Sequence, residues 1–211
     1  MVGGTYLQGF IINLQKVKDE DLIVSILGSD KVYTLYRFYG ARHSILNIGY
    51  KIDFEIDTNL KGSIHRLKDV MQLGFAWMGE FEKMYAWQRF VKLFYSHLKD
   101  VEHIDDFYFV LFNEMLVKIT KQNPKRALLE GYIKLLEHEG RLHNEHICLL
   151  CEEKIENNIS LVRGFLPTHP KCSYSRSFES NHIEELFNEK SAINLNDEEV
   201  DYLWQIILQG L

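Results

Sequence analysis

The chain of 211 residues predicts an α+β fold. An N-terminal five-stranded β-barrel is followed by an α-helical domain that contains a zinc-ribbon-like insertion. Three observations predict it. Residues 7–70 carry period-2 and short β-branched runs punctuated by glycine. After Val70 the apolar period lengthens to that of a helix. All three cysteines fall between Cys148 and Cys172, in two pairs of metal-ligand spacing.

The strands come first. Phe10, Ile12 and Leu14 alternate with polar neighbours, and Leu22–Leu27 is a short apolar run after the acidic turn Asp19-Glu20-Asp21. Val32–Tyr39 is β-branched and aromatic. Tyr50, Ile52, Phe54 and Ile56 alternate with Lys51, Asp53, Glu55 and Asp57, the clearest strand signal in the chain. Ile64–Leu67 closes the set, and Gly28, Gly40, Gly49 and Gly62 mark its turns. Five short strands without a helix long enough for a crossover predict a Greek-key barrel of the OB type.

Helical spacing then takes over. Trp77, Phe81, Met84, Tyr85, Val91, Phe94, Tyr95 and Leu98 form one apolar stripe, and Ile104 to Ile119 a second. Asn123-Pro124 is an N-cap followed by proline at the first helical position, opening a helix closed by Gly140. Asn181 with Glu184 starts a short helix. Asn196 caps a final helix whose first turn holds Asp197, Glu198 and Glu199, as the helix dipole favours. These stripes read as core. The expected domains are residues 1–70 (barrel), 71–145 (first helical part), 146–176 (metal module) and 177–211 (C-terminal helical part).

Cys148-Leu149-Leu150-Cys151 and His169-Pro170-Lys171-Cys172 lie seventeen residues apart. A two-residue gap lets both ligands of a knuckle turn onto one ion, and two knuckles complete a tetrahedron, so a structural Zn2+ held by Cys148, Cys151, His169 and Cys172 is expected. His146 and His143 are alternative fourth ligands. A buried apolar cysteine and a Cys148/Cys151 redox couple are the competing readings. Neither even cysteine pairing nor an apolar run of membrane-spanning length is present, and the N-terminus does not read as a secretory signal, which suits a reducing cytoplasmic compartment.

No catalytic constellation stands out: the chain has no Gly-x-Ser-x-Gly, no phosphate-binding glycine loop and no His-Glu-x-x-His. Three thiolates and an imidazole would also leave a zinc ion without an open position, so the protein is expected not to be an enzyme. Net charge is −6, but residues 146–211 carry all of it; residues 1–70 are at +1 and residues 71–145 at −1. Screening confines binding fields to about 10 Å, so the basic clusters of the first 130 residues count locally. Lys31, Tyr33, Tyr36, Arg37, Phe38, Tyr39, Arg42 and His43 interleave cations with rings, as single-strand-binding barrels do. Arg42 follows Gly40-Ala41, small residues that let a ligand backbone approach. Lys61, His65, Arg66 and Lys68 form a second cluster, and Lys118, Lys121, Lys125 and Arg126 a third.

At this point the chain resembles the recombination protein O (RecO) family of bacterial DNA-repair proteins. The matching features are Gly9-Phe10-Ile11, Glu20-Asp21-Leu22, Gly40-Ala41-Arg42, and a helix ending near Gly140 that leads into Cys148-x-x-Cys151, the Phe165 region and the second ligand pair. The resemblance implies an OB fold, a helical domain and an embedded zinc module. It implies a mediator of DNA recombination and damage repair that binds single- and double-stranded DNA and anneals complementary strands. With the ring-forming partner RecR, such proteins help load the RecA recombinase onto DNA coated by single-strand binding protein. A bacterial, nucleoid-associated location goes with that role. By position, Arg42 matches a DNA contact, and Cys148, Cys151 and Cys172 match three of the four family ligands, with His169 where zinc-bearing members have a fourth cysteine. The helix start that receives the acidic tail of single-strand binding protein in some members reads Ala127-Leu128-Leu129-Glu130 here, with Lys125 and Arg126 just upstream as substitutes. The alternative function is a protein–protein adaptor with a structural zinc module and little DNA affinity of its own, docking through its acidic C-terminal third.

Overall fold

The computed structural model describes residues 7–42, 45–58 and 64–211. Five strands, β1 (Leu7–Lys16), β2 (Leu22–Leu27), β3 (Val32–Arg37), β4 (Lys51–Asp57) and β5 (Arg66–Leu73), close a barrel in the order β1-β2-β3-β5-β4. All pairings are antiparallel except β3–β5, which is parallel and rests on the single pair Tyr36/Arg66. The five-stranded barrel of OB type is therefore present, followed by helices as expected.

The barrel interior holds Ile11, Val24, Ile26, Leu35, Ile52, Phe54 and Leu67, all buried. In β1 the expected Phe10/Ile12/Leu14 face does not exist. The register shifts between Ile11 and Asn13, a bulge that changes the phase of alternation. Ile11 enters the barrel core and Leu14 packs against it, while Phe10 packs on rings outside the barrel. Phe10, Ile11 and Ile12 are all fully buried, because both faces of the strand are covered. The fifth strand also differs from expectation: it begins at Arg66 and runs to Leu73, so the helical period starts later than Val70, and Trp77 precedes the first helix.

That helix, α1 (Phe81–Leu98), and α2 (Phe107–Lys121) cover the outer face of β1. Phe10 makes edge-to-face contacts with Trp87, Phe109 and Phe112 at centroid distances of 6.1, 5.6 and 5.2 Å. The Trp87 indole N–H donates to the Gly49 carbonyl at 2.8 Å, and that of Trp77 to the Leu116 carbonyl at 2.9 Å. Glycine is required at position 49: φ is +83°, and a Cβ would lie 2.8 Å from the Trp87 ring. One expectation for α1 is corrected. Phe81 and Tyr85 belong to its apolar stripe by spacing, yet they are 79% and 53% exposed.

Compact packing divides the chain into two units, the first ending at Thr120 and the second running Lys121–Leu211. In the second, α3 (Pro124–His138) starts as expected, with the Asn123 side chain accepting from the Lys125 N–H, and Gly140 follows it with φ +66°. A three-stranded sheet, β7-β6-β8, is formed by β6 (Asn158–Val162), β7 (Leu166–Thr168) and β8 (Phe178–Glu179), with the one-turn helix α4 (Pro170–Ser173) after β7. Helix α5 (Ser180–Glu189) starts before Asn181, and no side chain caps it, so the expected cap is not used. Helix α6 (Asp197–Ile207) carries a full capping box between Asn196 and Glu199. Its Leu203, Trp204 and Ile207 are buried with Leu128, Leu129, Ile133 and Leu136 of α3. The module between α3 and α5 packs into the same core: Phe165 meets Tyr132 edge-on at 4.9 Å, and Phe178 meets Tyr202 at 5.9 Å. The buried Glu130 carboxylate accepts from the Ala192 N–H and the Gln122 amide.

Candidate nucleic-acid interface and metal centre

The metal centre is built by two short turns. From Cys148 the chain folds back, Glu152 N–H donating to the Cys148 carbonyl at 2.8 Å and Cys148 N–H to that of Glu153 at 2.9 Å. Strand β7 then delivers His169, and Pro170 opens the single turn of α4, whose Cys172 N–H bonds the His169 carbonyl at 2.9 Å. That turn sets His169 and Cys172 side by side. The two halves are tied together by Leu149 N–H on the Pro167 carbonyl at 2.9 Å.

Ligand atoms of Cys148, Cys151, His169 and Cys172 all lie within 4.8 Å of one another, positioned to bind a metal ion. His169 Nδ1 is 3.3 Å from Cys151 Sγ and 3.9 Å from Cys172 Sγ. With zinc–sulfur bonds of about 2.3 Å, the edges of a tetrahedral site are about 3.5–3.8 Å, so these donors fit zinc. The imidazole is oriented for it too. Nε2 lies 3.2 Å from the Lys154 carbonyl, which wants a proton there and leaves Nδ1 as the lone-pair donor facing the sulfurs, the arrangement of metal-bound histidines. Burial alone would raise the Cys148 thiol, but N–H groups of His169, Cys151 and Leu150 bond its sulfur and lower it to about 6. Cys172 is raised to about 11 by burial and by hydrogen bonding to the other two thiols. Crowded sulfurs, one of them eased toward the thiolate by backbone N–H groups, suit a site completed by a cation. The alternative ligands lie elsewhere: His146 Nδ1 is 3.4 Å from Glu184, and His143 faces Glu145 at 3.9 Å.

At the barrel, the end of β3, the turn Gly40–Arg42 and the start of β5 gather rings and cations. Tyr36 and Phe38 meet edge-on at 4.9 Å, and the Arg66 guanidinium lies 4.8 Å from the Phe38 centroid. Arg37 stands close enough to Arg66 to be perturbed by it: burial first, then the Arg66 charge, lowers its guanidinium below the ordinary value. Arg66 makes no ion pair among the described residues, and its Nε–H is buried without an acceptor. Two guanidiniums held together beside a half-exposed ring, with Asp69 near enough to Arg37 to offset part of that shift, make a phosphate-and-base environment.

Other expected contacts are placed differently. Arg37 also donates to the Leu67 carbonyl at 3.0 Å, reinforcing the one-pair β3–β5 seam, so part of its role is structural. Arg42 is exposed, pairs with Glu20 and lies 5.3 Å over the Tyr39 ring. Gly40 is buried, and its missing Cβ makes room for Leu22 and Arg37 rather than for a ligand. Lys68 is 3.9 Å from Asp57. Lys31 sits over Tyr33 at 5.0 Å, at the opposite end of β3, so it does not join the group. His43 and Lys61 lie outside the described residues. In the second unit Lys125 pairs with Asp201 at 2.6 Å, and Arg126 with Asp197 at 2.8 Å and with the Ala192 carbonyl; an incoming acidic tail would have to exchange these bonds.

The sequence reading named Asp21 in the acidic turn and among the matching features but gave it no role at the site. It accepts the Tyr36 hydroxyl at 2.6 Å and the Tyr39 N–H at 2.7 Å, so one carboxylate shapes the whole turn. Its place in the acidic run before β2 was the available signal. The Tyr36 hydroxyl bond, then the Tyr39 N–H, holds its pKa below the ordinary 3.8. A lowered folded value contributes stability above pH 3.8 that is lost as pH falls through the folded value. The difference between the melting curves of the native chain and Asp21→Asn should accordingly be constant near neutrality and shrink below pH 4. A difference independent of pH down to pH 2 would contradict this role.

The fold and site together define a class: an OB-type barrel chain with following helices and an embedded three-cysteine, one-histidine cluster. Residues 7–78 match the protein-family model described as RecO N terminal, which supports membership of the RecO family. The match supports a role of RecO type in recombination and repair. No curated protein matches the chain. Among the described residues no helix is long and apolar enough to cross a membrane.

Proposed function

We propose that this protein is a non-enzymatic recombination mediator of the bacterial cytoplasm. It binds single- and double-stranded DNA through the barrel and anneals complementary strands. With RecR it helps load RecA onto DNA coated by single-strand binding protein. A structural Zn2+ held by Cys148, Cys151, His169 and Cys172 organises the second unit and takes no part in chemistry. The observation that carries the DNA reading is the close Arg37/Arg66 pair beside Phe38, of which Arg66 has no ion pair among the described residues, in the segment that matches the RecO N-terminal family.

The test is a salt-titrated binding and annealing assay on fluorescent single strands, with and without a chelator. Arg66→Ala and Arg42→Ala each reduce the slope of log affinity against log salt by about 0.7 per phosphate released. Arg37→Ala is a poor probe, because it also removes the bond to Leu67. Absence of binding at low salt by the folded, metal-loaded protein, alone or with its partner, would reject this function. Partner capture that survives removal of the barrel cations would favour the adaptor instead.

A further inference from the structure

The first two turns of α1 carry a ladder of planar groups on their surface. Phe81 and Tyr85 stack with centroids 5.9 Å apart and planes 16° apart, and both are mostly exposed. The Arg89 guanidinium lies over the Tyr85 ring, 5.6 Å from its centroid. Lys92 is the next exposed cation on that side. Spacings of four, four and three residues keep the set within about 80° of arc over about 16 Å of helix. Among the described residues neither Arg89 nor Lys92 has a carboxylate partner, whereas Lys83 is paired with Glu80. The acids at this end of the helix are Glu80, which is taken by Lys83, and Glu82 in the first turn.

We infer that this face of α1 is a stacking platform for single-stranded nucleic acid, with bases on Phe81 and Tyr85 and phosphates on Arg89 and Lys92. Near-parallel rings topped by a guanidinium offer π-faces to any base, and unpaired cations at the far end complement the backbone. Protein docking fits the patch less well. Two rings supply at most about 500 Å² of apolar area, below the roughly 800 Å² per partner that a stable interface buries. Charged residues rather than apolar ones continue the stripe. The inference rests on the reading of the protein as a single-strand binder, and it adds a second contact surface outside the barrel.

The test uses the full chain and a single strand carrying 5-iodouracil. Irradiation should yield base adducts on two tryptic peptides, residues 69–83 with Phe81 and residues 84–89 with Tyr85. Phe81→Ala/Tyr85→Ala should bind an unmodified strand at least about 30-fold more weakly with its salt slope unchanged. Arg89→Ser/Lys92→Ser should keep the adducts and lower the slope by about 1.4. Adducts absent from both peptides, or a ring variant within twofold of the native chain, would overturn the inference. If that happens while Arg66→Ala still weakens binding, the platform fails and the barrel reading stands; if the native chain binds no strand, both fail. Loss of self-association with unchanged DNA affinity would assign the rings to a second copy and also overturn it.

Discussion

Cys151→Ser is expected to unfold the second unit of the protein while leaving the barrel folded. Serine keeps the size of the side chain but is a poor ligand for a soft-accepting ion. Cys151 is exposed, so little packing is lost, and the effect reports ligation rather than a cavity. Ligation in structural zinc sites contributes on the order of 10 kcal/mol, comparable to the whole stability of a domain, about 5–15 kcal/mol. The local structure explains why so much would hang on the ion. Between α3 and α5 the regular strands are five, three and two residues long, too short to hold the module by backbone pairing alone. Phe165 and Phe178 tie the module to Tyr132 and Tyr202, so its loss opens the core around α3 and α6. Metal content by atomic spectroscopy should fall, and amide exchange should accelerate first across residues 121–211. Chelation of the native chain should reproduce the pattern, and single-strand affinity per folded barrel should hold. A metal-free variant with native exchange rates throughout would show that the cluster is not the staple it is argued to be.

The metal cluster was legible in the sequence because its geometry is local. Two knuckles of fixed spacing, Cys148/Cys151 and His169/Cys172, survive any uncertainty about the chain between them. What chose His169 over His146 was not local: the Lys154 carbonyl orients the first ring, and Glu184 takes the second. The barrel was legible where one face is wet, as in Ile52/Phe54 against Asp53/Glu55. It was misread in β1, where both faces are buried and a bulge shifts the phase at Ile12, so period 2 no longer sorts the residues. Helix α1 fails in the opposite way. Spacing puts Phe81 and Tyr85 on an apolar stripe, but the stripe extends past the edge of what the first unit can cover. The interleaved rings and cations near Arg37 and Arg42 were visible as composition. Their partners, Leu67 and Glu20, come from elsewhere in the chain and separate props from free charges.

Trp87→Ala is the complementary experiment, expected to unfold the first unit and leave the metal in place. The indole is fully buried and touches Phe10, Trp77 and Phe112 at 6.1, 6.2 and 5.1 Å. Large-to-alanine replacements at such positions cost about 3–5 kcal/mol. Here the Gly49 carbonyl also loses its 2.8 Å donor, a buried acceptor worth a further 1–3 kcal/mol or so. The two effects share a cause. Gly49 lies just before β4, and its own N–H bonds the Ile11 carbonyl at 2.8 Å, so the indole fixes the loop that enters the strand closing the barrel against β1. A cost of roughly 4–8 kcal/mol is most of a domain's margin, and DNA affinity should disappear with the fold. Trp87→Phe separates the components: it keeps most of the ring and loses the donor, so it should cost about 1–3 kcal/mol and retain binding with a lowered melting temperature. If Trp87→Ala melted like the native protein, the packing of β1 on α1 and α2 would not be what stabilises the barrel. If it released the metal as well, the second unit would depend on the first for its stability. The metal and the indole would then be two supports of one cooperative fold, and Cys151→Ser should abolish DNA binding too.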